Sequence, residues 1–278
     1  MRLYKAHGLG NDYLVLEDGA ALDAALVAAV CDRHHGVGGD GVLEPFSAGA
    51  AADYGVRIWN PDGSIAEKSG NGLRIFARWL VSERGAPPRF SIWTGFCRVV
   101  CDVEAEAIRV DMGEVSFEPA NVPVEASAPL VDGELSLSDG VLSVTAVGIG
   151  NPHCVIFRDE PLETLPFRRW GEEIERHPRF PKRTNVQFAR VIDRNTVEIV
   201  IWERGAGETM ASGSSSCAVA AAGVRTGRLD AGRIEVRMPG GTLYVTVAGA
   251  SLRLEGPVEP VARIEVDASW LQARARSA

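Results

Sequence analysis

The sequence predicts an α+β protein of two pseudo-symmetric lobes, each a β-sheet around a central helix. Three observations predict it. Short motifs recur in the same order at a nearly constant spacing along the 278-residue chain. Segments rich in β-branched residues alternate in polarity and end at Gly or Pro in both halves. A helical stretch follows the strongest repeat in each half, and strands packed around a helix make an α+β architecture.

The repeat begins with HGLGNDYLVLE at 7–17 and VGIGNPHCVIF at 147–157, where Gly8, Gly10 and Asn11 align with Gly148, Gly150 and Asn151. Next come IWNPDGSIAEKSG at 58–70 and IWERGAGETMASG at 201–213, where Ile58, Trp59, Ser69 and Gly70 align without gaps with Ile201, Trp202, Ser212 and Gly213. The halves close on MGEV at 112–115 and EGPV at 255–258. Three pairs in one order mark two homologous lobes, 1–117 and 118–278. Strands are expected at 56–59, 197–202, 234–238 and 243–247. Helices are expected at 71–83, where Leu73, Phe76, Ala77 and Leu80 share a face, and at 214–226, whose small apolar residues suit burial. A third helix is expected over 21–35, ending in a His34-His35 cap region stopped by Gly36.

Composition bounds the function classes. Hydrophobic residues make up 46% and charged residues 24%, as in ordinary globular proteins, and the net charge of −8 argues against a nucleic-acid partner. The N-terminus has no apolar signal-like region, and no apolar stretch has the length of about 18 residues that a membrane helix needs. A cytoplasmic location without a membrane partner is expected. The five cysteines (31, 97, 101, 154 and 217) are odd in number and widely spaced, unlike a disulfide framework. Patterns for zinc, calcium, P-loop or dinucleotide binding are missing, so neither a metal nor a cofactor is expected.

The chemistry concentrates at two helix starts. In each half a strand ends at Trp59 or Trp202, a loop rich in Gly and carboxylates follows, and Ser-Gly opens a helix. The first turn leaves N–H groups unpaired, and with the helix dipole they form an anion site. The donors would be the amides of Gly70, Asn71 and Gly72, and those of Gly213, Ser214 and Ser215. Plain N-capping by serine explains either element alone. The pairing in two related lobes points to one small amino-acid or carboxylate ligand held from both sides.

These strings together resemble the diaminopimelate epimerase family: HGLGND with Asn11, NPDGSIAEKSGNGLR, GNPHC, RTNVQF and ERGAGETMASGSSSCA, in the family's order over nearly the whole chain. The resemblance implies two lobes with a central helix each, an active-site cleft between them, and cofactor-independent inversion at an amino-acid α-carbon by two opposed bases. For diaminopimelate, that serves lysine and cell-wall precursor synthesis. It also implies that Asn60, Asn151, Asn185 and Arg204 hold the distal end of the substrate, with Arg204 on a carboxylate. Asn11 would line the reacting end, His153 and Glu208 would flank the α-amino group, and the amides after Ser69 and Ser212 would cradle the α-carboxylate. Asn185 as a turn residue and His153 as a satisfied core histidine are the plainer readings of those two. A homodimer is common in the family.

One departure strikes at the chemistry. The family carries a cysteine where this chain has Ser69 and Ser212. A thiol of pKa about 8.5, lowered at a helix N-terminus, reaches the thiolate; a serine hydroxyl needs an adjacent base. Cys217 and Cys154 are expected in the core rather than as substitutes. Glu67, Lys68, Glu208 and His153 are the other candidates for proton transfer. Besides epimerisation, two alternatives stand: a same-fold one-base isomerase, tautomerase or dehydratase, and an amino-acid-binding protein without turnover.

Overall fold

The computed structural model describes residues 1–275. The chain forms two compact units, one of Met1–Val110 with the stretch from Gly256 on, the other Asp111–Glu255.

In the first unit the order is β1 (Arg2–Gly8), β2 (Asn11–Leu16), α1 (Ala24–Cys31), β3 (Val42–Phe46), β4 (Tyr54–Trp59), β5 (Ile65–Ala66), α2 (Gly70–Arg84), β6 (Arg89–Trp93), β7 (Arg98–Val103) and β8 (Ile108–Glu114). β1 pairs antiparallel with β2, β2 parallel with β3, β3 antiparallel with β4, β4 parallel with β6, and β6, β7 and β8 follow antiparallel, with β5 a hairpin arm on β4. The second unit has β9 (Gly133–Leu137), β10 (Gly140–Gly148), β11 (Pro152–Phe157), α3 (Phe167–Glu175), β12 (Asn185–Asp193), β13 (Thr196–Glu203), β14 (Gly207–Thr209), α4 (Gly213–Arg225), β15 (Gly232–Met238), β16 (Gly241–Ala248) and β17 (Ser251–Gly256). From β10 onward it repeats the first unit strand for strand: antiparallel, parallel, antiparallel, parallel, antiparallel, antiparallel, with β14 the arm on β13.

The repeat explains where the chain divides. In the second unit β9 precedes β10 in sequence and pairs with its outer edge. In the first unit the same position is filled by β18 (Glu259–Glu265), which pairs antiparallel with β1. Covering that edge removes an unpaired strand. Where the sequence reading gave everything after 117 to the second lobe, 256 onward returns to the first. α5 (Ala268–Ala275) ends the described chain; the rest of the 268–278 tail lies outside the described residues.

Both parallel crossovers in each unit carry a helix, as parallel pairing requires. α1 and α3 are equivalent, as are α2 and α4. Strand alternation sorts side chains between two helix layers. Leu3, Leu14, Leu16, Val42 and Trp59 pack with Val27, Val30 and Cys31 of α1. Cys154, Ile156, Val186 and Phe188 pack with Phe167 and Ile174 of α3. The other face of each sheet is packed by α2 or α4, and both helices are buried along most of their length. At about 1.5–3 kcal/mol per large apolar side chain buried, these two layers supply much of each unit's stability.

The expected strands and central helices are all present. The helix expected over 21–35 is shorter. Asp23 caps it by accepting from Leu26 N at 2.8 Å, and it ends at Cys31 because the Asp32 backbone leaves the helical region. The amides of His34 and His35 then bond the Asp32 carboxylate, so Gly36 is not the stop signal. Cys154 and Cys217 are buried, and burial pushes the Cys154 thiol well above the ordinary range. Among the described residues, no helix is long and apolar enough to cross a membrane.

Candidate functional site

The two helix starts are built alike. Ser69 and Ser212 are the N-caps of α2 and α4, with extended backbones of φ/ψ −136°/117° and −145°/124°. In α2 the Ser69 hydroxyl oxygen accepts from Gly72 N at 3.0 Å, and its carbonyl accepts from Leu73 N at 2.9 Å. In α4 Ser212 does the same for Ser215 N at 3.5 Å and Ser216 N at 3.1 Å. The expectation that three amides per helix face a ligand is therefore corrected. Gly72 and Ser215 donate to their own caps, which leaves Gly70 and Asn71, and Gly213 and Ser214, ahead of the helical ladder. The serine cap holds the third amide of each helix, and the first two lie ahead of the ladder at the positive end of the helix dipole.

Around the first start, Asn11 and Asn71 form a head-to-tail chain. Arg74, fully buried on α2, donates to Asn71 Oδ1 at 2.6 Å; Asn71 Nδ2 donates to Asn11 Oδ1 at 3.0 Å; Asn11 Nδ2 donates to Asp40 at 2.8 Å. Gly8 leaves room for the guanidinium, since a Cβ there would come within 2.8 Å of Arg74 Nη2. Gly10, at φ +88°, closes the turn that sets Asn11 at the start of β2; Gly150, at φ +83°, does the same ahead of β11 for Asn151. Arg33 donates to both Asp40 and Asp12. Burial pushes the Asp12 carboxyl up, but hydrogen bonds from Arg33 and Lys5 outweigh it and hold its pKa below the ordinary value. The Tyr13 phenol donates to Ser69 Oγ at 3.1 Å. Asn60, at the end of β4, sits in a local turn and donates to Ser64 Oγ at 2.9 Å.

In the second unit Asn151, His153, Asn185 and Arg204 come together. His153 Nε2 lies 3.0 Å from Asn151 Oδ1, and β11 and β12 set His153 beside Asn185. Asn185 donates to Pro152 O at 3.0 Å and accepts from the Arg204 amide at 3.0 Å. Gln187, on the same face of β12, donates to Ser215 Oγ at 3.0 Å. His153 has no solvent exposure. Burial lowers its pKa to about 3; the Gln187 side chain favours the charged form, and the Arg204 charge opposes it. Within strict hydrogen-bond geometry neither His153 Nδ1 nor Gln187 Oε1 has a partner. The imidazole is neutral across the physiological range.

That neutrality has a measurable consequence. An unfolded histidine titrates near 6.5, so between pH 6.5 and about 3 the unfolded chain binds a proton that the native imidazole refuses. Stability contributed by neutral His153 is complete above pH 6.5 and is lost on acidification through that window, by about 5 kcal/mol at most. Urea denaturation across this range should show a shallower acid limb for His153→Gln than for the unaltered chain.

Glu208 does not join the group. It pairs with Trp202 across β13 and β14, and so lies on the α3 face of the sheet. There its carboxylate closes a two-pronged pair with Arg168 at 2.6 and 2.9 Å. The carboxylate on the α4 face is Glu203, which shares that face with Ile201 and Thr209 and accepts from Thr209 Oγ1 at 2.7 Å. The signal was in the sequence: in VEIVIWE, Glu203 falls two residues after Ile201, while Trp202 and its partner Glu208 belong to the other face. Gln187, Tyr13, Arg74 and Asp40 also escaped the sequence reading.

A family profile described as diaminopimelate epimerase matches residues 3–118 and 145–258. A protein named diaminopimelate epimerase 2, from a Nostoc species, is 43% identical over 258 residues, spanning 89% of this chain and 88% of its own. A diaminopimelate epimerase of Desulforudis audaxviator is 41% identical, spanning 98% and 100%. Among solved structures, a hydroxyproline epimerase from Agrobacterium vitis with bound trans-4-hydroxy-L-proline superposes with a TM-score of 0.69 at 17% identity, over 95% of this chain and 91% of its own. A PhzF-family phenazine biosynthesis protein from Bacillus anthracis gives 0.67 at 14% identity, over 96% and 99%. These two share the fold.

Proposed function

The chain belongs to the diaminopimelate epimerase family, and we propose that it is a cofactor-independent amino-acid epimerase acting on diaminopimelate, the compound its relatives are named for. The observation that carries the reading is the matched pair of serine-capped helix starts, each at the same position in one of two units with the same strand order.

In this reading, as the family resemblance implies, the free amides of Gly70 and Asn71 in one unit and of Gly213 and Ser214 in the other are donors to a substrate carboxylate. Removing the α-proton builds enolate-like charge on that carboxylate, and donors already aimed at it stabilise the developing charge without reorganising. Ser69 and Ser212 take the places of the family's two bases. Neutral His153 and Glu203 lie toward the α-amino group, Glu203 taking the role that the sequence reading gave to Glu208. Asn60, Asn151, Asn185 and Arg204 hold the distal end; the exposed Arg204 guanidinium suits a second carboxylate. A cytoplasmic, homodimeric enzyme of amino-acid biosynthesis fits the family.

Heavy-water exchange tests the function. With LL-diaminopimelate, the α-proton signal should fade as deuterium enters and the meso form appears. Exchange without inversion, or loss of water, would make the chain a one-base isomerase or a dehydratase instead. Binding seen by calorimetry with no exchange would leave only a binding protein. The carboxylate assignment has its own test: Glu203→Gln should lower kcat/KM by about 100-fold, whereas Glu208→Gln, which removes only an exposed pair with Arg168, should stay within about twofold.

A further inference from the structure

We infer that Tyr13 and Ser69 form a two-oxygen proton relay, in which the phenol supplies and recovers the proton that Ser69 Oγ exchanges with the substrate α-carbon. The inference rests on the epimerase reading above and answers how a serine can stand where the family has a thiol.

A hydroxyl oxygen has two acceptor sites and one proton. On Ser69 both acceptor sites are filled, one by Gly72 N at 3.0 Å and one by the Tyr13 phenol at 3.1 Å. The serine proton is therefore the one left to point away from protein. Two donors on Oγ also stabilise negative charge there, as donors do for any oxyanion. Behind them stands a phenol with an ordinary pKa of about 10, against about 8.5 for a thiol. The relay thus brings the effective acid within reach of the family's thiol, which an isolated serine does not.

The phenol is held in place. Tyr13 is 6% exposed, and a Cβ on Gly41 would come within 2.6 Å of its ring. Arg74 is buried on α2, and Lys68 directly precedes the N-cap. Glu67 lies one residue further out and is exposed. On the strands, Lys5, His7, Asp12 and Glu44 alternate to the α1 face. The second unit has no such arrangement. The residue equivalent to Tyr13 is His153, which is bonded to Asn151, and Ser212 Oγ receives a single amide at 3.5 Å.

In the donating direction the Ser69 Oγ–H bond breaks as a Cα–H bond forms, the phenol proton moves onto Oγ, and water reprotonates the phenolate. In the accepting direction the Cα–H bond breaks, its electron pair stays on the substrate as the carboxylate-stabilised enolate, and its proton goes to Oγ. The serine's former proton passes to the phenolate.

The test uses LL-diaminopimelate in heavy water with the full chain. Tyr13→Phe should lower α-proton exchange by about 100-fold or more with calorimetric affinity and Tm unchanged. A thiol at position 69 has no need of the phenol, so the Tyr13→Phe, Ser69→Cys double variant should exchange as fast as Ser69→Cys alone. Exchange by the unaltered chain should climb toward pH 10, and that of Ser69→Cys should level near 8.5. A tyrosine that only packs would lose affinity or Tm and would not be rescued by the thiol. Undiminished exchange in Tyr13→Phe, or a silent double variant, overturns the relay while leaving the epimerase standing. No exchange by the unaltered chain overturns both.

Discussion

Placing cysteine at both helix starts, Ser69→Cys with Ser212→Cys, should raise the rate of deuterium entry into diaminopimelate by about 100-fold. A thiolate forms near pH 8.5 in water and lower at a helix N-terminus, where the dipole and the free amides favour negative charge. The serine oxygens lack that option, and the dipole's contribution of about 0.3–2 kcal/mol is too small to supply it. The same exchange weakens both caps, because sulfur is a poor acceptor for the amides of Gly72 and Ser215. The double variant should therefore lose about 0.5–2 kcal/mol per helix while gaining activity. Urea denaturation and exchange rates on one preparation would show the two moving in opposite directions. A double variant that stays silent, from a chain that binds some other acid, would make the substrate assignment wrong.

The largest loss of stability is expected from Glu175→Ala. Its carboxylate, 3% exposed at the end of α3, accepts from Trp202 Nε1 at 2.9 Å, from Gly205 N at 2.8 Å, and from Arg183. Its backbone carbonyl accepts from Thr184 N at 3.2 Å. It thus clamps both segments that carry the distal-end residues: Arg183 and Thr184 lead into Asn185, and Trp202 and Gly205 bracket Glu203 and Arg204. Truncation leaves the Trp202 indole N–H and the Gly205 amide without their acceptor and releases the half-exposed Arg183 guanidinium, which costs about 2–4 kcal/mol in total. Affinity for diaminopimelate should fall with it, because the Arg204 backbone is no longer fixed. Glu208→Ala is the contrast: an exposed pair contributes about 0–1 kcal/mol, so its denaturation midpoint should barely move.

The repeat made most of the fold legible. Gly8-Leu9-Gly10-Asn11 and Gly148-Ile149-Gly150-Asn151 mark the same turn, and the Trp-to-Ser-Gly segments mark the same strand–arm–helix passage; between these landmarks the strand order follows. Two features escaped for physical reasons. β18 joins the first unit because β1 has an open edge, a long-range pairing that local periodicity does not carry. α3, FRRWGEEIE, is mostly polar, and its inward residues Phe167, Gly171 and Ile174 are too few to read as a helix face without the sheet beneath them.

The site was legible as a set of residue types but not as hydrogen bonds. Both serines were read as helix starts, yet only the structure gives the third amide of each helix to its cap. The string ERGAGET does not by itself separate Glu203 from Glu208; the pairing of β13 with β14 does, because it puts the two carboxylates on opposite faces of the sheet. Tyr13 went unnoticed because its significance depends on a contact with a residue 56 positions away.

The proposed function depends on the free amides of the serine-capped helix starts taking up the substrate carboxylate. Amide shifts of ¹⁵N-labelled protein titrated with diaminopimelate test it most directly. The account predicts that the Gly70 and Gly213 resonances move together and saturate at one Kd. Movement of only one, or of neither while binding proceeds elsewhere, would contradict it.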